Sequence, residues 1–455
     1  MNTYHFIGVG GSGMSGIAQV LRAQGHRVTG SDRNLDSNRG MGLYDKLRAQ
    51  GIELFAQDGS GVSAETDHVV ASTAIEDDNA DIVAAKEHDV PVMKRADLLA
   101  ELVNGKRSAA IGGSSGKTTS TALSAWVLEK GGLDPTVMNG GIIKNYLSDT
   151  LIGNAKGGAS DVVCVEADDS DGTIVNYEPE VGVVTNVSKD HKEIDELVEL
   201  FRIFAGHTKG TLVLNADCPI LAEASLEHAH VVTFGVKNDA DLRAANIAGD
   251  GLSSIFTVNG ISYRLPLPGA HNVENALVAM AVGREMGVSP EAIGEALESF
   301  RGVGRRMDLI GEARGVKVID DFAHNPAKID AALATVQPLA KRVLAVYQPH
   351  GFGPTKFLRA EFVDSFAGDL RPNDILYMPK IYYAGGTADM SISSADIVGD
   401  IVARGRRAVS IPERPDVVEA VAKEATDGDI VLVMGTRDDT LTEFCRDILT
   451  ALEQG

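Results

Sequence analysis

The stretch Ala109-Ala110-Ile111-Gly112-Gly113-Ser114-Ser115-Gly116-Lys117-Thr118-Thr119 decides how this chain is read. Its opening residues are small and apolar and predict a buried strand. A glycine loop with a lysine and two threonines follows. A helix then starts near Thr118 and carries Leu123, Trp126, Val127 and Leu128. Strand, glycine loop, Lys-Thr, helix is the order that holds a nucleoside triphosphate. Backbone N–H groups and the helix N-terminus face the phosphates, the lysine adds a point charge, and the threonine hydroxyl reaches a magnesium ion. The loop is a shortened one, because only two residues separate Gly113 from Gly116.

Working outward, Tyr4-His5-Phe6-Ile7 predicts a strand and Gly8-Val9-Gly10-Gly11-Ser12-Gly13 a turn. A helix runs on through Leu21, and a second strand, His26 to Gly30, ends at Ser31-Asp32. An acidic residue about twenty positions past such a glycine turn is the layout of a nucleotide-binding βαβ unit, with the carboxylate placed for a ribose. Downstream of the lysine loop, the strand Asp161 to Val165 ends in Glu166-Ala167-Asp168-Asp169-Ser170-Asp171. The strand Val181 to Asn186 leads into Lys189-Asp190-His191. Taken alone, the first is a solvated acidic loop and His191 a surface residue. Beside a phosphate loop they make a magnesium set, hard oxygens plus one imidazole. Further on come Val316 to Asp321, then Ala323-His324-Asn325-Pro326, and strands at Arg342 to Tyr347 and Ile430 to Met434.

Strands and amphipathic helices alternate along the chain, which predicts α/β domains with parallel sheets. At 455 residues with 44% hydrophobic composition there is material for several cores. We divide the chain into 1–104, 105–303 and 304–455. Acidic residues outnumber basic ones, 64 to 42, for a net charge of −22. That excess argues against nucleic acid or an anionic membrane as partner, but not against phosphorylated small molecules held by local loops. Cys164, Cys218 and Cys445 fit no disulfide or zinc spacing. No stretch is apolar enough to span a bilayer and no signal peptide is evident, so a reducing cytoplasm is expected.

These motifs, in this order and over nearly the whole length, resemble the Mur ligases, the ATP-dependent amide-forming family of peptidoglycan synthesis. The match rests on His5 to Ala18, Gly30-Ser31-Asp32, Ser72-Thr73-Ala74-Ile75, Gly113 to Thr118, Glu166 to Asp171 and Thr185 to His191. It continues with Gly269-Ala270-His271-Asn272-Val273-Glu274-Asn275, Gly304-Arg305-Arg306-Met307-Asp308 and Asp320 to Pro326. The resemblance implies three domains: a Rossmann-like UDP-binding domain, a central P-loop ATPase-type domain with a parallel sheet, and a Rossmann-like C-terminal domain for the amine. It also implies the site. Gly113, Ser114, Ser115, Gly116, Lys117, Thr118 and Thr119 would hold ATP, with His271 and Asn275 at the adenine and Arg306 and Asp321 reaching ATP from the C-terminal domain. Thr118, Glu166 and His191 would ligate magnesium. Gly8, Gly10, Gly11, Ser12, Gly13, Met14, Ser31, Asp32, Ser72 and Thr73 would hold a UDP-N-acetylmuramate-type substrate. Lys117, His191 and His324 would serve the chemistry, His324 either taking the amine's proton or only positioning it. The amine would come from an amino acid or peptide.

The chain departs from the family's alanine-adding branch in one region. That branch carries Asp-Tyr-Gly-His-His-Pro where Asp321-Phe322-Ala323-His324-Asn325-Pro326 stands here. Its Gln-Pro-His-Arg-Tyr-Thr-Arg-Thr is here Gln348-Pro349-His350-Gly351-Phe352-Gly353-Pro354-Thr355, without the two arginines, and the last strand ends in Met434-Gly435-Thr436-Arg437-Asp438-Asp439. The residues by themselves leave two other classes open. One is a nicotinamide oxidoreductase built on the Gly8 turn and Asp32. The other is a nucleotide-holding module without ligase activity.

Overall fold

The computed structural model describes residues 1–72, 75–188, 192–383, 389–438 and 440–454. It forms two compact units, Met1–Val303 and Gly304–Gly455. Among the described residues the first unit holds two sheets and the second holds one.

The N-terminal sheet is parallel throughout. Its central strand, Thr3–Ile7, has Arg27–Ser31 on one side and His68–Ala71 on the other. The chain leaves this strand toward one edge and returns to the other. A crevice therefore opens at the strand ends past Ile7 and Ala71, where doubly wound sheets bind ligands. The glycine turn and Ser72 lie at those ends. Gly30 lets the turn close down on the second strand, because a Cβ there would sit 2.7 Å from Val9 Cβ.

The second sheet is parallel at its heart, where Val162–Glu166, Arg107–Gly112 and Val181–Val184 lie side by side. Strands covered on both faces read as near-continuous apolar runs, and the apolar stretches here are VVCV, AAIG and VGVV. The expected strand–helix alternation fails between 242 and 265. There Leu242–Asp250, Ser253–Val258 and Ile261–Leu265 form an antiparallel meander. The signal was Asn259-Gly260, whose φ values of 51° and 80° make the two-residue turn that a tight hairpin requires.

One hydrophobic cluster explains why the first two sequence segments form a single unit. Ile17, Val20 and Leu21 of the helix Ser12–Ala23 pack with Met138, Ile152 and Ala155 of the next segment. Gly157 permits the approach, since a Cβ there would lie 2.4 Å from Ala23 Cβ. In the second unit Val316–Asp321, Ile430–Gly435, Val343–Gln348 and Ile375–Met378 run parallel in that order, with Asp308–Ala313 antiparallel at one edge. Cys164, Cys218 and Cys445 are buried and unpaired. Among the described residues no helix is long and apolar enough to cross a membrane.

Candidate active site

In the second sheet Ile111 is paired with Glu166, and Gly112 with Val184. Three loops therefore leave neighbouring parallel strands at the same level: the lysine loop, the acidic loop and Thr185–Ser188. Lys117 opens the helix Lys117–Lys130, and its ammonium donates to Gly113 O at 2.7 Å and to Asp169 Oδ1 at 2.6 Å. Burial works against its charge, but Asp169, with Glu166 and Asp168 behind it, more than offsets this and raises its pKa, so the lysine is charged at neutral pH. Glu166 is held at both oxygens. Oε1 accepts the Thr118 hydroxyl at 3.0 Å and Oε2 accepts the Gly140 N–H at 2.7 Å. A hydroxyl and a carboxylate pinned together are hard-oxygen ligands, and they fit magnesium. His191 lies outside the described residues. Among the described residues no group of three or more His, Cys, Asp or Glu side chains gathers into a metal cluster.

The loop needs its glycines. Gly113 has φ 122° and a Cβ there would come 2.1 Å from Thr185 Oγ1; Gly116 has φ 85° and would meet Asn275 Oδ1 at 2.6 Å. The N–H groups of Ser114 and Ser115 are taken by Asn186, through its backbone and side-chain oxygens. Ser114 Oγ is bonded to Ser188. The amides left to face phosphate are those of the first helical turn around Lys117, Thr118 and Thr119, which have no partner within a helix. Asn275 is tied to this helix by Ser120 Oγ, 3.0 Å from its Oδ1. His271 stands beside it at the start of the helix Ala270–Glu285. Its side chain is exposed.

The glycine turn is built on Ser31 and Asp32. Gly8 and Val9 donate to Ser31 O at 2.8 and 3.0 Å, and Asp32 Oδ2 accepts the Gly10 N–H at 2.8 Å. Asp32 Oδ1 accepts Asn34 N–H at 2.8 Å, so both its oxygens serve the backbone. Ser31 is fully buried and its hydroxyl donates to Asp81. Gly11 and Ser12 are exposed, Gly13 is half-buried and Met14 is buried. Ser72 lies across the crevice mouth, and Thr73 lies outside the described residues. One residue escaped the sequence reading. The Arg95 guanidinium lies against Gly13, where a Cβ would come 2.9 Å from Nη1, and pairs with Asp171 at 3.2 Å. An isolated arginine at the start of a helix gives no sequence signal for this.

In the second unit Asp321 closes its strand with both oxygens on backbone N–H groups, Met307 at 2.8 Å and Ala323 at 2.9 Å. Burial raises its pKa against those bonds and Arg306. Arg306 stacks 4.2 Å over the Phe322 ring. His324 Nδ1 lies 2.9 Å from Phe322 O. A carbonyl only accepts, so Nδ1 carries a proton in this contact. Asn325 caps the helix Pro326–Val336 by accepting Lys328 N–H at 3.0 Å, a role that asparagine fills well ahead of a proline. Gln348 and Gly435 pair across adjacent strands, and Arg414 binds both Gln348 Oε1 and Asp438, fixing the two loops. Lys356 is held by Asp389 Oδ2 at 2.6 Å and Ser391 Oγ at 3.0 Å.

Fold and loops together define an α/β protein with a strand, glycine loop and helix of the phosphate-loop form, and with a second crevice at a glycine turn in the same unit. The chain belongs to the Mur ligase family. Three family profiles match in order: the Mur ligase family catalytic domain over residues 3–107, the Mur ligase middle domain over 111–283, and the Mur ligase glutamate ligase domain over 305–437. UDP-N-acetylmuramate–L-alanine ligase of Sinorhizobium fredii is 38% identical, with 95% of this chain and 93% of the relative covered. The enzyme of the same name from Pelotomaculum thermopropionicum is 37% identical over 95% and 94%. The crystal structure of UDP-N-acetylmuramate–alanine ligase from Thermotoga maritima covers 100% of both chains with a TM-score of 0.81 at 26% identity. A murein peptide ligase from Psychrobacter arcticus shares the fold, with a TM-score of 0.68 at 22% identity over 100% and 99%. The three-domain α/β expectation holds, and membership sets aside the nicotinamide oxidoreductase reading.

Proposed function

We propose that this ligase uses ATP to join the carboxylate of a UDP-N-acetylmuramate-type substrate to the amine of an amino acid or peptide, in peptidoglycan synthesis or recycling. The observation that carries this reading is the convergence of Lys117, Thr118 and Glu166 at one end of a sheet whose unit also holds the Gly8–Gly13 turn. A carboxylate does not accept an amine at neutral pH, because its leaving group is oxide. Transfer of the γ-phosphoryl of ATP to the carboxylate gives an acyl phosphate and ADP. The amine attacks the acyl carbon, the tetrahedral adduct expels phosphate, and an amide remains. Lys117 places a fixed positive charge at the moving phosphoryl group. The amides of the first helical turn would hold the chain of phosphates, and Asn275 and His271 would receive the base. Thr118 and Glu166, with His191 as the further ligand the resemblance implies, would hold magnesium, which would supply positive charge between two anions that otherwise repel. His324 Nε2 is the atom able to orient the amine or accept its proton. A cytoplasmic reaction is part of this reading, because both nucleotide substrates are phosphorylated.

The test is a screen of amino acids and short peptides against UDP-N-acetylmuramate, reading ADP release. Release strictly dependent on both carboxylate and amine is expected. Hydrolysis of ATP indifferent to them, or none, overturns the reading in favour of a nucleotide-holding module.

A further inference from the structure

A continuous path of hydrogen bonds joins the glycine turn to the phosphate loop inside the first unit. Asn154 is its centre and is 3% exposed. Its Nδ2 donates to Ser12 O at 2.8 Å and to Ser15 Oγ at 3.0 Å, and its Oδ1 accepts Gln19 Nε2 at 2.9 Å. All three partners belong to the helix that begins at the turn. In the other direction Asn154 O accepts Asn139 N–H at 2.9 Å. The next residue, Gly140, donates to Glu166 Oε2, and Glu166 Oε1 accepts the Thr118 hydroxyl. The path therefore runs Ser12, Asn154, Asn139, Gly140, Glu166, Thr118, and each link is 3.0 Å or shorter.

Apolar packing also crosses this junction, but it is non-directional and tolerates sliding. The Arg95–Asp171 pair crosses it too, with side chains 25% and 34% exposed, and such pairs hold a geometry weakly. A buried carboxamide with both donors used is directional, and leaving it unmatched is costly. It ties the helix at one site directly to the loop that sets Glu166 at the other, alongside the bonds of Lys46 and Gln50 to the Leu151 and Thr150 carbonyls.

We propose that Asn154 is a positioning residue for the ligation. It sets the separation between the turn that takes the diphosphate of the sugar nucleotide and the Thr118–Glu166 pair that takes the metal and ATP, so that the substrate carboxylate meets the γ-phosphate. This rests on the substrate placement given above. Asn154 touches neither substrate. Its effect falls on the encounter of the two reacting groups, where a misplacement of about 1 Å costs on the order of 100-fold in rate.

The experiment is steady-state kinetics on the full chain with Asn154→Ala, and with Arg27→Ala as a control at an exposed ion pair with Glu53 on the N-terminal sheet, away from the junction. In Asn154→Ala, kcat for amide formation should fall at least about tenfold, while KM for ATP and for the UDP substrate stay within about threefold. Arg27→Ala should match wild type. Should Asn154→Ala not fold, Ser15→Ala removes one acceptor of the carboxamide with little loss of volume, and kcat should still drop by about threefold at unchanged KM. A wild-type kcat in whichever of these two variants folds, or a loss seen only in KM, overturns the positioning role. If the wild-type chain itself forms no amide with any acceptor, the proposed function falls and this inference falls with it. Turnover by wild type with an indifferent Asn154→Ala sinks the inference alone.

Discussion

At the scale of single residues, the chemistry turns on groups that fold stability does not need. Lys117 sits at the first position of its helix and anchors to Asp169 and Gly113 O. Lys117→Ala should leave the fold intact and lower turnover to below a tenth of wild type, because such a charge is worth several kcal/mol to phosphoryl transfer. Retention of more than that shows the lysine is not at the moving phosphate. Glu166→Ala and His191→Ala should each raise the magnesium concentration needed for half-maximal rate, and an unchanged requirement in either removes that residue from the metal. Asp81 behaves differently, as a group that supports the fold beneath the glycine turn. Burial opposes its charge, but bonds from His5, Ser31 and the Gly59 N–H prevail and hold its carboxyl below the usual 3.8. A depressed acid pKa contributes stability above the unfolded value, and that stability is lost as pH falls through the folded one. Asp81→Asn should therefore cost about 1–3 kcal/mol at neutral pH, and denaturant titrations of the two proteins should converge only as pH falls below 3.8 through the depressed folded-state value. Parallel curves across that range would mean that another group controls the acid limb.

At the scale of elements, the nucleotide loops were legible because glycine is required there on steric grounds. Gly113 and Gly116 have positive φ and no room for a Cβ, so the sequence had little freedom to hide them. The buried strands were legible as apolar runs. The meander from Leu242 to Leu265 was passed over, although Asn259-Gly260 marked its last turn. Asn154 and Gly140 were invisible for another reason. An asparagine or glycine in a loop has many ordinary uses, and only the folded chain shows what it touches. Gly140 offers a sharp test of that loop. A Cβ there would lie 2.6 Å from Glu166 Oε2. The carboxylate is the flexible end of its side chain and can yield, so Gly140→Ala should keep the fold. Moved off Thr118, Glu166 should bind metal less well. The expected result is a magnesium requirement raised about tenfold at a melting temperature within a few degrees of wild type. A large fall in melting temperature with normal magnesium dependence would assign Gly140 to backbone conformation instead.

At the scale of the whole molecule, the shared core of the first unit bears on how substrates are tested. The helix Ser12–Ala23 buries Ile17, Val20 and Leu21 against the segment after the phosphate loop, so binding is best measured on the full chain. Calorimetry should show UDP bound and NAD not, and tighter NAD binding reverses the assignment of the N-terminal crevice. The amine is the larger question. The relatives carry alanine ligase names, yet this chain lacks the two arginines of the Gln-Pro-His loop, and guanidinium forks are what bind a free carboxylate at two points. The remaining lysine of that loop does not replace them, since Lys356 is committed to Asp389 and Ser391 and could offer only a point charge. What the loop presents instead is aromatic: His350 stacks on Tyr382 with ring centres 5.7 Å apart, and Phe352 meets Tyr383 at 5.5 Å. Arg437, exposed and with φ 53°, leaves the neighbouring strand beside it. Among the described residues, a loop that offers Arg437 beside aromatic rings should grip a small amino acid weakly and a larger amine or a peptide better. We therefore expect L-alanine to be a poor acceptor. Steady-state kinetics decide it: kcat/KM for L-alanine at or above about 10⁴ M⁻¹s⁻¹, the ordinary enzyme range, would make this an alanine ligase with an altered loop, whereas a value well below it, exceeded by a bulkier amine, is the outcome the loop predicts.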